Sequence, residues 1–397
     1  MFQSPMKISP TARRTLTAVT AALALCAPFA GHLAAQTNAP VGAAPQPGVS
    51  SAPNMQTQPR APQAALNVPP LLASDKAQLI AATVLELNKR YVFPDVAKRA
   101  SEALSAKHKA GAYDAITDGV ALANALSDDL FALTKDSHLR YRFEPMSVPM
   151  QHLPNQVVSA ADAAAARLDA EQRNFGVERV ERLPGNIGYV DVRLFYSPAW
   201  AGDTLAAAMN LIANTDALII DVRQNGGGFS ETVALLTSYL LNERTHLSSF
   251  YLRDDDSTEQ SWSLDWLPGK RFGGTKPVYV LTSKRSVSGA EEFAYNLKHL
   301  KRATLVGETT VGASNPGAFA KLTPLYSLFI PNGRVTNAVT KTNWEGIGVE
   351  PDVKVPADDA LRTAQILALK ALQAKTTDPR RAMGIGRRVD ELEQQKR

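Results

Sequence analysis

The sequence is poor in cysteine, the residue that disulfides and many zinc sites require. Cys26 is the only cysteine in 397 residues, so an intramolecular disulfide, a cysteine framework and a cysteine-based zinc site are all excluded. An excess of charge is also missing, because 43 lysines and arginines face 38 aspartates and glutamates. The stability of the chain must therefore come from core packing, for which its length is sufficient.

Residues 1–35 have the pattern of a secretory signal peptide. Lys7, Arg13 and Arg14 precede an apolar run, LTAVTAALALCAPFAG, and the small residues of HLAAQ follow it. We predict cleavage after Ala35 and therefore a periplasmic or secreted protein. Cleavage would leave 40 basic and 38 acidic residues, a formal charge of +2 rather than +5. This balance gives no basis for a nucleic-acid partner.

Two other interpretations of the leader are disfavoured. Pro28 interrupts the apolar run, which is also shorter than the roughly 20 residues of a membrane span, so we expect no stable membrane insertion. A lipoprotein signal would need a small residue before Cys26, where Leu25 stands. Cys26 would leave with the leader, so the mature chain would also lack a thiol nucleophile.

Composition and periodicity divide the rest of the chain. A stretch rich in Pro, Ala, Gln and Ser indicates a disordered linker, and helical spacing of apolar residues follows it. Strand patterns then alternate with helical ones, which argues for an α/β core covered on both faces. The predicted segments are a linker (36–70), a helical domain (71–145), a connector (146–176), an α/β domain (177–356), a helix (357–375) and a loose polar tail (376–397).

Ser288 lies in a stretch that allows two interpretations. The sequence around it, residues 287–300, is VSGAEEFAYNLKHL. Ser288 with Glu291 three residues later fits a capping box ahead of an apolar helical run. The other interpretation, a nucleophile, needs a base, an orienting acid and an oxyanion hole from elsewhere in the chain.

Three successive glycines follow a predicted buried strand. The stretch 221–231 reads DVRQNGGGFSE, and glycines there let the backbone approach a ligand and aim N–H groups at it. There is no G-x-G-x-x-G and no Gly-Lys-Ser/Thr, so a nucleotide site is disfavoured. The stretch is either a tight strand-to-helix turn or an anion hole.

His138, in TKDSHLRYRF (134–143), is the best candidate base, by elimination. The histidines beyond the leader show no H-E-x-x-H or comparable spacing, so no metal or other cofactor is predicted. Glu345, in TNWEGIGVEPDVKV (342–355), is on its own consistent with an exposed turn carboxylate. The histidines considered are His108, His138, His152, His246 and His299.

Three ordered stretches together closely resemble the catalytic core of the S41 serine peptidases, the tail-specific protease and tricorn-like family. They are ALIIDVRQNGGG, LTSKRSVSGAEEFAYNLKHLKRATLVGETTVGASNPG and EGIGVEPDV. NKRYVFPDVAKRASEAL and DSHLR also resemble the leading domain of the branch that contains interphotoreceptor retinoid-binding protein modules. The resemblance covers residues 75 to about 355. It implies an α/β crotonase/ClpP-like core with a small N-terminal helical domain.

The resemblance also implies roles for single residues. Ser288 matches the nucleophile at the start of a helix. The N–H of Gly289 would be one oxyanion donor, and the second would come from Gly227 as first choice or Gly228 as next.

The catalytic base implied for this chain differs from that of the tail-specific branch, which uses a lysine in a G-K-G loop. Ala313 occupies that position here, between Gly312 and Ser314. The tricorn-like branch uses a histidine supported by a serine and a glutamate. His138, Ser137 and Glu345 match that set, which implies that Glu345, relayed through Ser137, orients His138.

Substrate binding is expected to differ from that of tail-specific proteases. The interval between Pro145 and Val177 is too short for a PDZ domain, so we expect a protein or peptide substrate to add as a strand beside the glycine loop. The resemblance implies a serine endopeptidase that acts on extended polypeptides. Two alternatives remain open. The first alternative is a binding module for apolar small ligands, as the retinoid-binding modules suggest, and the second is an inactive scaffold on the same fold.

Overall fold

The computed structural model describes residues 71–144 and 160–395. The predicted signal peptide (1–35), the predicted linker (36–70), the last residue of the predicted helical domain (145) and the first part of the connector (146–159) lie outside the described residues. The predicted absence of a PDZ domain in the connector therefore stays a prediction.

The N-terminal region is helical, as the apolar spacing predicts. Asp118 caps the third helix by accepting a hydrogen bond from the N–H of Ala121 at 2.7 Å. That helix ends at Thr134, and the φ of 59° at the next residue, Lys135, turns the chain sharply into residues 136–138. The elements are α1 (Ala73–Arg90), α2 (Pro94–Lys109), α3 (Gly119–Thr134), β1 (Tyr141–Phe143) and α4 (Ala160–Gln172).

The remainder of the described chain alternates strands and helices. Its elements, in chain order, are β2 (Val177–Leu183), β3 (Ile187–Val192), α5 (Pro198–Ile212), β4 (Ala217–Asp221), α6 (Ser230–Ser238), β5 (His246–Leu252), β6 (Ser257–Trp262), β7 (Val278–Thr282), α7 (Gly289–His299), β8 (Thr304–Gly307), β9 (Gly317–Thr323), β10 (Tyr326–Pro331), β11 (Gly333–Asn337), β12 (Val353–Lys354), α8 (Ala357–Lys375) and α9 (Pro379–Gln394).

A six-stranded sheet, in the order β12-β8-β7-β4-β3-β2, forms the core. All neighbours are parallel except β2, which runs antiparallel to β3. Leu218 and Ile220 face α5, α6 and α7, whereas Ile219 between them faces α8 and α9. Both faces of the sheet are thus covered, as the continuous apolar strand sequences predict.

The helical N-terminal region shares its core with a distant hairpin. Leu79, Leu126 and Leu130 pack with Leu328 and Ile330 of the β9–β10 hairpin, and β1 extends that hairpin to three strands. A second small antiparallel sheet has the order β11-β5-β6. Residues 71–144 are therefore packed into the same compact unit as the α/β core.

The C-terminal end differs from its prediction. The helix expected at 357–375 is observed as α8, but residues 379–394, predicted as a loose polar tail, form α9. Ile385, Val389 and Leu392 are buried there, in a core shared with α8. The prediction of a loose tail is therefore wrong, because one apolar stripe among many charges is enough to dock a helix.

None of the helices formed by residues 71–144 and 160–395 is long and apolar enough to cross a membrane.

Candidate active site

Three loops converge at the carboxyl end of the central sheet. They follow the neighbouring parallel strands β4, β7 and β8, and they carry residues 225–229, 283–288 and 308–316. The N–H of Val287 bonds the carbonyl of Asn225 at 3.2 Å, and the N–H of Val311 bonds the carbonyl of Ser286, also at 3.2 Å. This is the edge at which open α/β sheets commonly bind ligands.

Ser288 stands at the start of α7 in an unusual backbone conformation. Its φ of 59° and ψ of −118° are rare for a residue with a side chain, and such conformations cluster at functional sites. Its N–H donates to Glu291 Oε2 at 2.9 Å, so the return arm of the predicted capping box is present. Ser288 thus belongs to the helix start and is also held in a conformation that has to be stabilised by its surroundings.

The triple-glycine loop packs directly against Ser288. A Cβ on Gly227, whose φ is +91°, would lie 2.7 Å from the Ser288 Cβ and 3.0 Å from the Gly289 nitrogen, so only glycine fits. The N–H of Gly227, however, donates to Asn225 Oδ1 at 2.7 Å. Gly227, the first choice from the sequence, therefore shapes the loop while its own N–H is occupied.

The N–H groups of Gly228 and Gly289 remain available beside Ser288. Among the hydrogen bonds of the described residues, neither group has a partner. The Gly228 nitrogen lies 3.3 Å from the position that a Cβ on Gly289 would occupy, so the two residues are in close contact. Gly228 is exposed to solvent, which leaves its N–H accessible to a ligand.

Glu291 ties the loop after β8 to the start of α7. Its Oε2 accepts the N–H of Ala313 at 2.9 Å as well as that of Ser288, and its Oε1 accepts the N–H of Gly312 at 2.6 Å and the Thr310 hydroxyl. Burial raises the pKa of Glu291, although these hydrogen bonds oppose the shift. Ala313, at the position of the family lysine, is fully buried and carries no basic group.

His138 lies in a cluster with Asp136 and Glu345. One ligand-type atom from each residue lies within 4.8 Å of those of the other two. The backbone N–H of His138 donates to Asp136 Oδ1 at 2.9 Å, and its ring stacks on Phe329 with centroids 5.1 Å apart. Both ring nitrogens are buried and without a hydrogen-bond partner among the described residues.

The pKa values of this cluster are set mainly by burial. Burial lowers the pKa of His138 to about 4, against the opposing charge of Asp136, so the imidazole is neutral at pH 7. Burial and then the Asp136 charge raise the pKa of Glu345 to about 7, against hydrogen bonds from Ser314 and Asn315. Displaced pKa values of this kind are typical of functional sites.

Four residues that belong to this cluster or support it were not predicted from the sequence: Asp136, Tyr91, Ser314 and Asn315. Asp136 Oδ2 accepts hydrogen bonds from the Tyr91 hydroxyl and from Asn315 Nδ2, both at 3.1 Å. Ser314 donates to Glu345 Oε2 from its N–H at 2.6 Å and from its hydroxyl at 2.9 Å. The sequence D-S-H at 136–138 could have indicated Asp136, because it lies two residues before His138, whereas no local pattern indicates Ser314 or Asn315.

The implied relay through Ser137 differs from the observed contacts. Within residues 71–144 and 160–395, the Ser137 hydroxyl makes no hydrogen bond, and its carbonyl accepts from Arg140 Nε at 3.1 Å. The serine that donates to Glu345 is Ser314, from the loop that Glu291 holds beside Ser288. Segment 312–315 thus connects the Ser288 group to the cluster of His138 and Glu345.

Two family models match the sequence of this chain, and solved structures resemble it in part. A family model described as "Peptidase family S41" matches residues 186–355, and one described as the "N-terminal domain of Peptidase_S41 in eukaryotic IRBP" matches residues 61–176. By fold, mature CPAF is similar at 14% identity, a TM-score of 0.48 and coverage of 80% of this chain and 96% of that one. The tricorn protease is similar at 16% identity and a TM-score of 0.44, with coverage of 81% of this chain and 37% of that one.

Curated relatives match over part of their length. A carboxy-terminal-processing protease of Bartonella bacilliformis is 28% identical over 188 residues, which are 44% of this chain and 40% of that protein. CtpB of Bacillus subtilis is 28% identical over 190 residues, 44% of this chain and 35% of that protein. The match thus spans well under half of these relatives. The two family models together cover most of the chain and confirm the resemblance found in its sequence: it belongs to peptidase family S41.

Proposed function

We propose that this chain is an exported serine endopeptidase that hydrolyses extended polypeptides with Ser288 as its nucleophile. The observation that carries the proposal is a pair of N–H groups, on Gly228 and Gly289, that have no partner among the described residues and lie beside a serine in a strained helix-start conformation. A helix start and two free N–H donors favour negative charge that develops on an attacked carbonyl oxygen.

In the first step, Ser288 Oγ attacks the scissile carbonyl carbon while His138 takes the hydroxyl proton. The N–H groups of Gly228 and Gly289 hold the resulting oxyanion, and each such donor contributes about 10²–10³-fold to the rate. The C–N bond then breaks, and His138 returns the proton to the leaving amine.

In the second step, water hydrolyses the ester on Ser288, with His138 again accepting and returning a proton. Glu345 would orient the imidazole and stabilise its protonated form, with its own position fixed by Ser314. The separation within the cluster exceeds a hydrogen bond, so we expect the imidazole and Glu345 to approach each other when substrate binds.

Substrate would lie as an extended strand beside the glycine loop. Gly226 and Gly228 are exposed, and Gly228 already forms a parallel bridge with Phe195. An added strand there would gain main-chain hydrogen bonds and would place a carbonyl group near Ser288.

Labelling with a fluorophosphonate probe tests the nucleophile and its base. We expect labelling of the wild-type chain, and its loss in Ser288→Ala and His138→Ala. Ser257→Ala and His299→Ala, which replace the same residue types outside the site, should label like the wild type. Folded wild-type protein that neither labels nor cleaves an extended peptide library would refute the proposal.

Export is tested separately, by sequencing the N-terminus of the protein recovered outside the cytoplasm, which should begin at Gln36.

The alternative of an apolar-ligand module has no comparable support. Two described surface cavities, of about 400 and 660 Å³, have charged residues such as Lys98 and Arg388 in their linings.

A further inference from the structure

The cluster of Asp136, His138 and Glu345 has the composition of a metal site, although the spacing of histidines in the sequence indicated none. Its residues come from the segment after α3 and from the loop after β11, more than 200 positions apart in the chain. Their ligand-type atoms all lie within 4.8 Å of one another. The sequence could not reveal this set, because metal-binding motifs are read from short local spacings.

The decisive feature is the number of unsatisfied atoms that the cluster buries. Nδ1 and Nε2 of His138 and Oε1 of Glu345 are all buried, and none has a hydrogen-bond partner within the described residues. Each buried polar group that is left without a hydrogen-bond partner costs about 1–3 kcal/mol of stability. Among the salt bridges of the described residues, none involves Asp136 or Glu345.

We propose that Asp136, His138 and Glu345 bind one Zn²⁺ ion. A ligand set of one imidazole nitrogen and two carboxylate oxygens suits Zn²⁺, whereas Mg²⁺ and Ca²⁺ prefer oxygen ligands alone. Tetrahedral Zn²⁺ with bonds of about 2.0–2.2 Å places its ligands about 3.3 Å apart, so the cluster needs to contract by about 1.5 Å at most. The fourth position would hold water.

The surrounding hydrogen bonds already orient the three ligands. Tyr91 and Asn315 fix the Asp136 carboxylate, and Ser314 occupies Glu345 Oε2 while Oε1 stays free. The Phe329 ring stacks on the imidazole and limits its rotation. Groups of this kind raise metal affinity, because less ordering is required when the ion binds.

Zn²⁺ at this position would also inhibit the chain. This consequence rests on the proposed function, since a ring nitrogen of His138 that is bonded to Zn²⁺ cannot accept the Ser288 proton. Zn²⁺ binding itself does not depend on Ser288. The two proposals can therefore fail independently.

The test is calorimetric titration of the full chain, produced without a polyhistidine tag, with Zn²⁺ chloride. We expect one saturable site in the wild type, and affinity lower by about tenfold or more in His138→Gln and in Glu345→Gln. Ser288→Ala and His299→Gln should bind as the wild type does. Co²⁺ should give the visible absorption of a tetrahedral site in the wild type and lose it in both ligand variants.

Absence of saturable Zn²⁺ binding by folded wild-type protein would overturn the proposal, as would unchanged binding in both ligand variants. A protein that binds Zn²⁺ through these residues, but that the fluorophosphonate probe does not label, would support the metal site and refute the peptidase. A protein that the probe labels but that does not bind Zn²⁺ would support the peptidase and refute the metal site.

Discussion

Glu292 offers a quantitative test of how this core tolerates a carboxyl group. The residue is 3% exposed between α6 and α7, its Oε2 accepts the Ser230 hydroxyl at 2.7 Å, and its Oε1 is buried without a partner. Burial is the main cause that raises its pKa from 4.5 to about 8; the Ser230 hydrogen bond opposes the shift and the Glu231 charge adds to it. Glu292 is therefore predominantly protonated in the folded protein at neutral pH.

The sign of the effect on stability follows from linkage. Folded Glu292 binds its proton more tightly than unfolded Glu292, so its contribution to wild-type stability is lost as pH rises from 4.5 to 8 and stays low above it. A shift of 3.5 pH units corresponds to about 5 kcal/mol at high pH, of which about 4 kcal/mol is lost between pH 5 and pH 9. Glu292→Gln cannot ionise and avoids this loss.

Urea unfolding of the wild type and Glu292→Gln at pH 5, 7 and 9 measures the difference. At pH 5 the variant should be less stable by about 1 kcal/mol, because the new amide has an unpaired donor. At pH 9 it should be more stable by about 3 kcal/mol. Glu259→Gln, an exposed control with the same chemical change, should follow the wild type. Parallel pH profiles for Glu292→Gln and the wild type would refute the reasoning.

Two further predictions concern the glycine loop and the last helix. Gly227→Ala places a methyl group 2.7 Å from the Ser288 Cβ at a φ of +91°, so probe labelling should fall by about 10²-fold; Gly202→Ala, with open space around it, should label normally, and equal labelling of both variants would contradict the model of the site. Ile385→Ala should lower the free energy of unfolding by about 2–4 kcal/mol in urea, whereas Met383→Ala, at an exposed position of the same helix, should change it by less than about 0.5 kcal/mol; equal effects would mean that α9 is not docked.

Elements with a strong local pattern could be predicted from the sequence. The helix at 357–375 has acidic residues in its first turn and a lysine in its last, and it is observed with the predicted bounds. The buried strand predicted before the three glycines is also observed, as Ala217–Asp221. In each case the residues that determine the element are its own.

Elements and contacts that depend on distant residues could not be predicted in the same way. The stripe of Ile385, Val389 and Leu392 has helical spacing but is interspersed with charged residues, and it is stabilised by a core that it shares with α8 and the central sheet. The hydrogen bond between Asn315 and Asp136 joins residues 179 positions apart. The hydrogen bond that occupies the Gly227 N–H depends on the rotamer of the Asn225 side chain. Patterns of residue types carry no information about either.

The shared core of the N-terminal helices and the β9–β10 hairpin has a consequence for biosynthesis. His138 is made early, but the Phe329 ring on which it stacks, and Glu345 beside it, follow about 200 residues later. At about 5–20 residues per second, the ribosome needs at least about ten seconds to cover that distance. A nascent chain therefore cannot complete this cluster of side chains until residue 345 has been synthesised.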